Sequence, residues 1–167
     1  NGFDFVALLH GDGQYSPESL PDLVQPLARG EYDAVFGSRM ANRFNAIRGG
    51  MPLYKFVGNW ILTTFQNWVL GTSFSELHSG YRLYQVKALQ TIPFHQNTQG
   101  FNFDTEVCYQ LLLSQHSILE IPIPTYYGEE LCYVDGLRYA REVFTATLKF
   151  WLKRFGLLHD AVFSIPT

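Results

Sequence analysis

Cysteine is nearly absent, with only Cys108 and Cys132 in 167 residues. Two thiols make no disulfide framework, which favours a reducing compartment. Long apolar runs are missing too: no stretch reaches the roughly 18 unbroken apolar residues of a membrane-spanning helix. Charge is scarce at 16% of residues and nearly balanced at a net −3. No strong nucleic-acid field is therefore expected, and no nucleic-acid partner. The opening NGFDF has neither the basic region nor the apolar run of a signal peptide, and it lacks a Met. These absences point to a cytoplasmic protein whose chain opens almost directly on a strand, as if cut from something longer.

What is abundant is apolar and aromatic. Hydrophobic residues make up 47% of the chain, with 14 Phe and 10 Tyr. That composition fits one folded domain over 1–167 with a real core. The aromatic surplus either fills that core or lines a sugar or lipid site.

Periodicity orders the elements. FDFVALL (3–9) reads as a buried strand, and SPESLPDLVQPLARG (16–30) as a helix with Ser16 as cap, Pro17 in the first turn and Gly30 at the close. YDAVFGSR (32–39) reads as a second apolar strand. Strand, helix and strand in succession imply a parallel pair with a right-handed crossover. Residues 40–52 read as a loop and 53–71 as a long helix. Residues 72–89 start polar and then turn periodic, and 102–116 read as a helix. In the strand 117–127, Pro122 and Pro124 favour a sheet edge. Residues 137–156 form a basic, aromatic helix. It fits either a helix covering a sheet or one lying on a membrane surface.

Chemistry-bearing residues cluster at strand ends, where ligands of open α/β sheets bind. HGDGQ (10–14) follows the first strand. Gly11 and Gly13 allow tight turns and close approach of a ligand. Asp12 offers a hard oxygen and Gln14 a neutral one, suited to a divalent cation on phosphate; a surface turn explains the same residues. SELHSGYR (75–82) gathers Glu76, His78, Ser79 and Arg82 around Gly80. It could hold an anion through the Arg82 fork, or be an ordered polar loop in which Arg82 pairs with Glu76. In FDTE, Asp104 and Glu106 sit near a helix start and share no face, so at most one points into a site. Arg39, ending the second strand, is placed for phosphate. His95, His116 and His159 read as ordinary residues.

Taken in order, FVALLHGDGQYSPESLPDLV, YDAVFGSR, the GN at 58–59, SELHSGYRLY, FNFDTE and EIPIPTYYGEE resemble the family 2 inverting glycosyltransferases of GT-A fold. The branch is that of dolichyl-phosphate mannose synthase. HGDGQY, ELHSGYR and EIPIPTYYG are most similar to bacterial enzymes fused to a class I methyltransferase. The resemblance implies an α/β chain, the C-terminal portion of a GT-A domain, with a mixed, mostly parallel sheet flanked by helices. It implies transfer of a sugar from a nucleotide-sugar donor to a polyprenyl-phosphate or glycan acceptor in cell-envelope glycan synthesis, at the inner face of the membrane. A non-catalytic carbohydrate- or nucleotide-binding module is the alternative.

The family's metal motif, Asp-x-Asp followed by Gln, falls on His10, Asp12 and Gln14, so Mg²⁺ or Mn²⁺ is implied. His10 replaces the first acid and is a ligand, a donor to phosphate, or an orienter of Asp12. Arg39 and Arg82 match arginines near donor or acceptor phosphates, and Glu76 stands where relatives often have Asp. A polyprenyl-phosphate acceptor needs no general base, whereas a hydroxyl acceptor needs one, and Asp104 or Glu106 are the candidates. The family's Arg-x-x-Gly-x-Ser-Lys element is absent; YYGEELCYVDGLR occupies that region, with Arg138 a weak substitute. The family's N-terminal nucleoside-binding half is absent as well, so this segment alone is expected not to turn over.

Overall fold

The strand β2 (Ala34–Ser38) is buried on both sides, and the rest of the molecule is arranged around it. In the computed structural model the described residues are 2–11, 13–124, 126–127 and 135–164. They form a four-stranded sheet, with β1 (Phe5–Leu8), β3 (Arg82–Gln85) and β4 (Ile118–Pro122) in the order β1-β3-β2-β4. Side chains alternate across the sheet. Ala34, Phe36 and Tyr84 face one core with Val69, Val107, Leu111, Ala146 and Phe150. Val35 and Leu83 face the other with Tyr15, Leu23, Leu27 and Tyr81. Helix α1 (Leu20–Ala28) covers the second face. Helices α3 (Leu53–Leu70), α5 (Phe103–Leu113) and α6 (Gly136–Arg154) cover the first. Each fully buried side chain of this kind, such as Leu23, contributes about 1.5–3 kcal/mol.

Four expectations are corrected. The sheet is mixed, with β1, β2 and β4 running in one direction, but β1 and β2 do not pair with each other, because β3 inserts between them and runs antiparallel to both. Only β2 and β4 pair in parallel among the described strands. Alternation in a sequence identifies a strand but not its neighbours. β1 is an edge strand whose Val6 and Leu8 are exposed, not buried. Residues 40–52 are not simply a loop, since α2 (Arg43–Arg48) is capped by the Asn42 side chain, which accepts from the Asn45 amide. Ser16 does not cap the following helix: its hydroxyl donates to Glu18 at 2.6 Å, and a 3-10 turn over Pro17–Ser19 precedes α1. As the prolines suggest, β4 lies at the other edge. A four-residue helix, α4 (Val86–Leu89), follows β3.

Candidate functional site

β2 ends at Ser38, and the next residue leaves the sheet pointing into a polar interior. Arg39 is buried, and its five N–H donors all find acceptors. Nε donates to Glu76 Oε1 at 2.9 Å, and Nη2 to the same oxygen and to the His78 carbonyl at 3.2 Å. Nη1 donates to Gln14 Oε1 at 3.1 Å and to the Tyr127 hydroxyl at 2.9 Å. Glu76 also accepts from the Arg39 amide at 2.7 Å and from Asn59 of α3 at 2.6 Å. Burial alone would raise the Glu76 carboxyl, but the Arg39 charge and hydrogen bonds pull it below its ordinary range. Burial works against the Arg39 charge too, and Glu76 reverses that, holding the guanidinium protonated. One ion pair therefore ties together the loop after β1, the end of β2, α3 and the loop before β3.

That last loop is held from behind. The Glu120 carboxylate on β4 accepts the amides of Ser75 and Glu76, each at 2.8 Å. Arg82 holds it from the other end. Its guanidinium is 1% exposed, lies 4.5 Å from the Phe36 ring centre, and donates to the carbonyls of Ser79, Asp104 and Leu77. A cation surrounded by carbonyls and an aromatic face is a structural clamp, so Arg82 does not present its fork to a ligand. The alternative pairing of Arg82 with Glu76 is also not what forms: Glu76 pairs with Arg39.

His78 sits between the two arginines. Burial, aided by the charges of Arg82 and Arg39 and opposed by Glu76, pushes its pKa down to about 3. The neutral ring shares a hydrogen bond of 2.7 Å with the Tyr139 hydroxyl of α6, and Nε2 is shielded from solvent with no partner among the described residues. Ser79 is buried, its hydroxyl accepting from the Tyr81 amide at 3.2 Å. The imidazole of His10 lies directly on Gly80, in the space that a Cβ would take. The Gly80 amide donates to the Tyr15 hydroxyl at 2.9 Å, and Tyr15 meets His10 edge to face at 5.8 Å. Arg39 lies over the other part of the Tyr15 ring at 5.6 Å.

The structure thus brings His10, Gln14, Arg39, Glu76, His78 and Gly80 together. Gly11 and Gly13 are exposed in the loop that carries them, Gly13 with φ +75°. Asp12 lies outside the described residues. Glu106 is turned inward. Its carboxylate accepts from the Thr98 amide and from Asn102, each at 2.8 Å, and burial raises its pKa despite the Thr98 donors. It fastens the loop before α5, while Asp104, the other carboxylate, is half-buried beside Arg82. Among the described residues no three His, Cys, Asp or Glu converge as a metal cage. Gln14 already serves Arg39, and His10 rests on Gly80. A hard cation here would thus depend on Asp12 and on ligand oxygens.

Sequence reasoning missed Tyr15, Asn59, Glu120, Tyr127 and Tyr139. Four stood inside quoted segments, Tyr15 in HGDGQY, Asn59 in GN, and Glu120 and Tyr127 in EIPIPTYYGEE. The Tyr127 amide bonds the Gly49 carbonyl at 2.8 Å, and a Cβ on Gly50, whose φ is +85°, would crowd the Tyr127 carbonyl at 3.1 Å. That places Tyr127 under the turn between α2 and α3.

A protein-family model described as Glycosyl transferase family 2 matches residues 3–92. The Low-salt glycan biosynthesis hexosyltransferase Agl6 of Haloferax volcanii is 32% identical over 144 residues, 83% of this chain and 34% of its own. The Undecaprenyl-phosphate mannosyltransferase of Micrococcus luteus is 25% identical, over 78% of this chain and 52% of its own. The chain therefore spans between a third and about half of these relatives. Among solved structures, glucosyl-3-phosphoglycerate synthase of Mycobacterium tuberculosis with uridine diphosphate superposes with a TM-score of 0.64 at 18% identity, covering 96% of this chain and 52% of that one. The same enzyme with Mn²⁺, UDP-glucose and phosphoglyceric acid gives a TM-score of 0.55. These likenesses establish the fold.

Proposed function

The chain belongs to glycosyl transferase family 2, and on that premise we propose that the protein moves a sugar, with inversion, from a nucleotide-sugar donor to a polyprenyl phosphate or a glycan hydroxyl. The observation that carries this reading is the seat of His10 on Gly80. It makes the loop after β1 and the loop before β3 two walls of one site, with Arg39 fastened to both. The Micrococcus relative's name supplies the polyprenyl phosphate, and the synthase structures, with uridine diphosphate or UDP-glucose and Mn²⁺, supply the donor class and the metal.

Mg²⁺ or Mn²⁺ would be held by Asp12 and the donor's diphosphate oxygens, with His10 and Gln14 beside it, and would offset charge on the leaving group. The chain's own residues do the rest. Arg39 holds Gln14 and the loop after β1 in place. The buried guanidinium of Arg82 gives the site a fixed positive potential without touching the ligand. Neutral His78, bonded to the Tyr139 hydroxyl at 2.7 Å, braces the loop before β3 against α6. An anionic acceptor is its own nucleophile; for a hydroxyl acceptor Asp104 takes the proton, because Glu106 is committed to Thr98 and Asn102. The protein works in the cytoplasm, at the inner face of a membrane when its acceptor is a lipid.

The test is transfer by the full-length protein from a panel of nucleotide sugars. Asp12→Asn should abolish it, because Asp12 is the only carboxylate of the motif. Near-normal rates from that variant would refute the reading.

A further inference from the structure

Helix α3 exposes an apolar stripe as well as burying one. Its buried face carries Val69 and Leu70 together with Thr63 and Gln66, with Gln66 Nε2 donating to the Tyr109 hydroxyl at 2.8 Å and Thr63 to Asn59 at 3.1 Å. Its solvent face, in steps of three and four, carries Leu53, Val57, Trp60, Ile61 and Trp68, with Thr64 as the only polar residue of that stripe. Leu53 is 71% exposed and Trp68 79%. From Leu53 to Trp68 the stripe runs about 22 Å along the helix. It continues onto α6 across the stacked rings of Phe65 and Phe144, 5.2 Å apart, where Leu148, Trp151 and Phe155 are exposed. On α2, Phe44 and Ile47 are exposed beside Arg43 and Arg48. A patch of this extent marks an interaction surface.

The charges on the α2–α3 face have one sign, and the one acid of α6, Glu142, is paired with Arg138 at 2.9 Å. Between Asp33 and Glu76 the sequence holds no acidic residue, while Arg43, Arg48 and Lys55 all fall in that interval and Arg141 is exposed on α6. A second copy packed face to face would set these cations against their own kind. Aromatic rings along an apolar stripe rimmed by cations are complementary to an anionic lipid surface instead. We propose that the α2–α3 face, continued by α6, docks on an anionic bilayer with α3 lying in the plane of the headgroups. Asn59, on the other side of α3, bonds Glu76, so docking would bring the Arg39 site down to the lipid surface. The sequence pointed to the 137–156 helix alone; the structure makes α3 the purer stripe. No helix among the described residues is long and apolar enough to cross a membrane, so the contact proposed is peripheral.

The readout needs no turnover and so is separate from the proposed reaction. The full-length protein is floated with vesicles of phosphatidylcholine, with and without phosphatidylglycerol. It should float with the anionic vesicles and less so as salt is raised. Leu53→Ser combined with Trp68→Ser should cut partitioning about tenfold or more with an unchanged melting profile, and Arg43→Glu with Arg48→Glu should do likewise. Independently of those, brominated lipid should quench tryptophan emission, and Trp60→Phe with Trp68→Phe should reduce the quenching. Absence of flotation with anionic vesicles overturns the proposal. So does flotation or quenching indifferent to the α3 substitutions, or a dimer that Leu53→Ser with Trp68→Ser disperses.

Discussion

The loop at 75–82 and the outer face of α3 invert the usual placement of polarity, and in opposite directions. The loop buries Glu76, His78 and Arg82 and closes almost every hydrogen bond around them. The helix exposes Leu53, Ile61 and Trp68, which nothing described covers. Burying a charge is tolerated only when it is paired and hydrogen-bonded. The loop meets that condition internally, so it acts as fixed scaffolding for the residues beside it. Exposed apolar surface finds no such compensation among the described residues, so the helix face is the one proposed to meet a partner. The interior explains how the site is shaped, and the exterior explains where the site is delivered.

The interior side of this contrast breaks most easily at Glu76. Glu76→Ala leaves Arg39 buried with no carboxylate, and removing one partner of such a pair costs about 3–5 kcal/mol. Urea unfolding measures it; a loss below about 1 kcal/mol would mean the pair behaves as a surface ion pair. Glu120→Ala strips the amides of Ser75 and Glu76 of their acceptor and should cost about 1–3 kcal/mol, less than the first because the carboxylate is only half-buried. An unchanged midpoint would show that the loop does not need its rear support.

A third effect, seen only below neutral pH, concerns proton uptake. His78 titrates near 6.5 when unfolded and is pushed down to about 3 when folded. Between those values the unfolded chain binds the extra proton. Its contribution to stability is therefore complete above about pH 6.5 and declines as pH falls toward 3. His78→Gln should flatten melting temperature against pH across that window relative to the parent. Parallel curves would mean that His78 charges freely in the folded protein. Least of all should Trp68→Ser matter to folding: a change within about 0.5 kcal/mol is expected, with the loss appearing in vesicle binding instead. A large loss of stability would move Trp68 to the interior side of the comparison.

Much of this architecture is legible in order along the chain. Short apolar runs mark β1, β2 and β4, helical spacing marks α3, α5 and α6, and Gly71, with φ +73°, ends α3 where the pattern stops. α2 escaped because its six residues are too few to show a period. Of the candidate site residues, His10 meets Gly80 and Gln14 meets Arg39, which holds Glu76 and the His78 carbonyl, but these pairings were not readable. Nearness in sequence suggested Arg82 with Glu76, and the fold instead joins Arg39 to Glu76 across 37 positions. Glu120, 44 positions from the amide of Glu76, carries no local mark of its role.

The sequence by itself determined three of the four strands, the long helices, and the family motifs and their order, because backbone propensity and hydrophobic period are properties of neighbouring residues. Only the tertiary structure decided that β3 separates β1 from β2, that two matching arginines are both consumed by internal acceptors, and that α3 turns an apolar stripe outward. Those outcomes depend on which groups compete for the same hydrogen bonds and the same core, and that competition is settled between segments far apart in the chain.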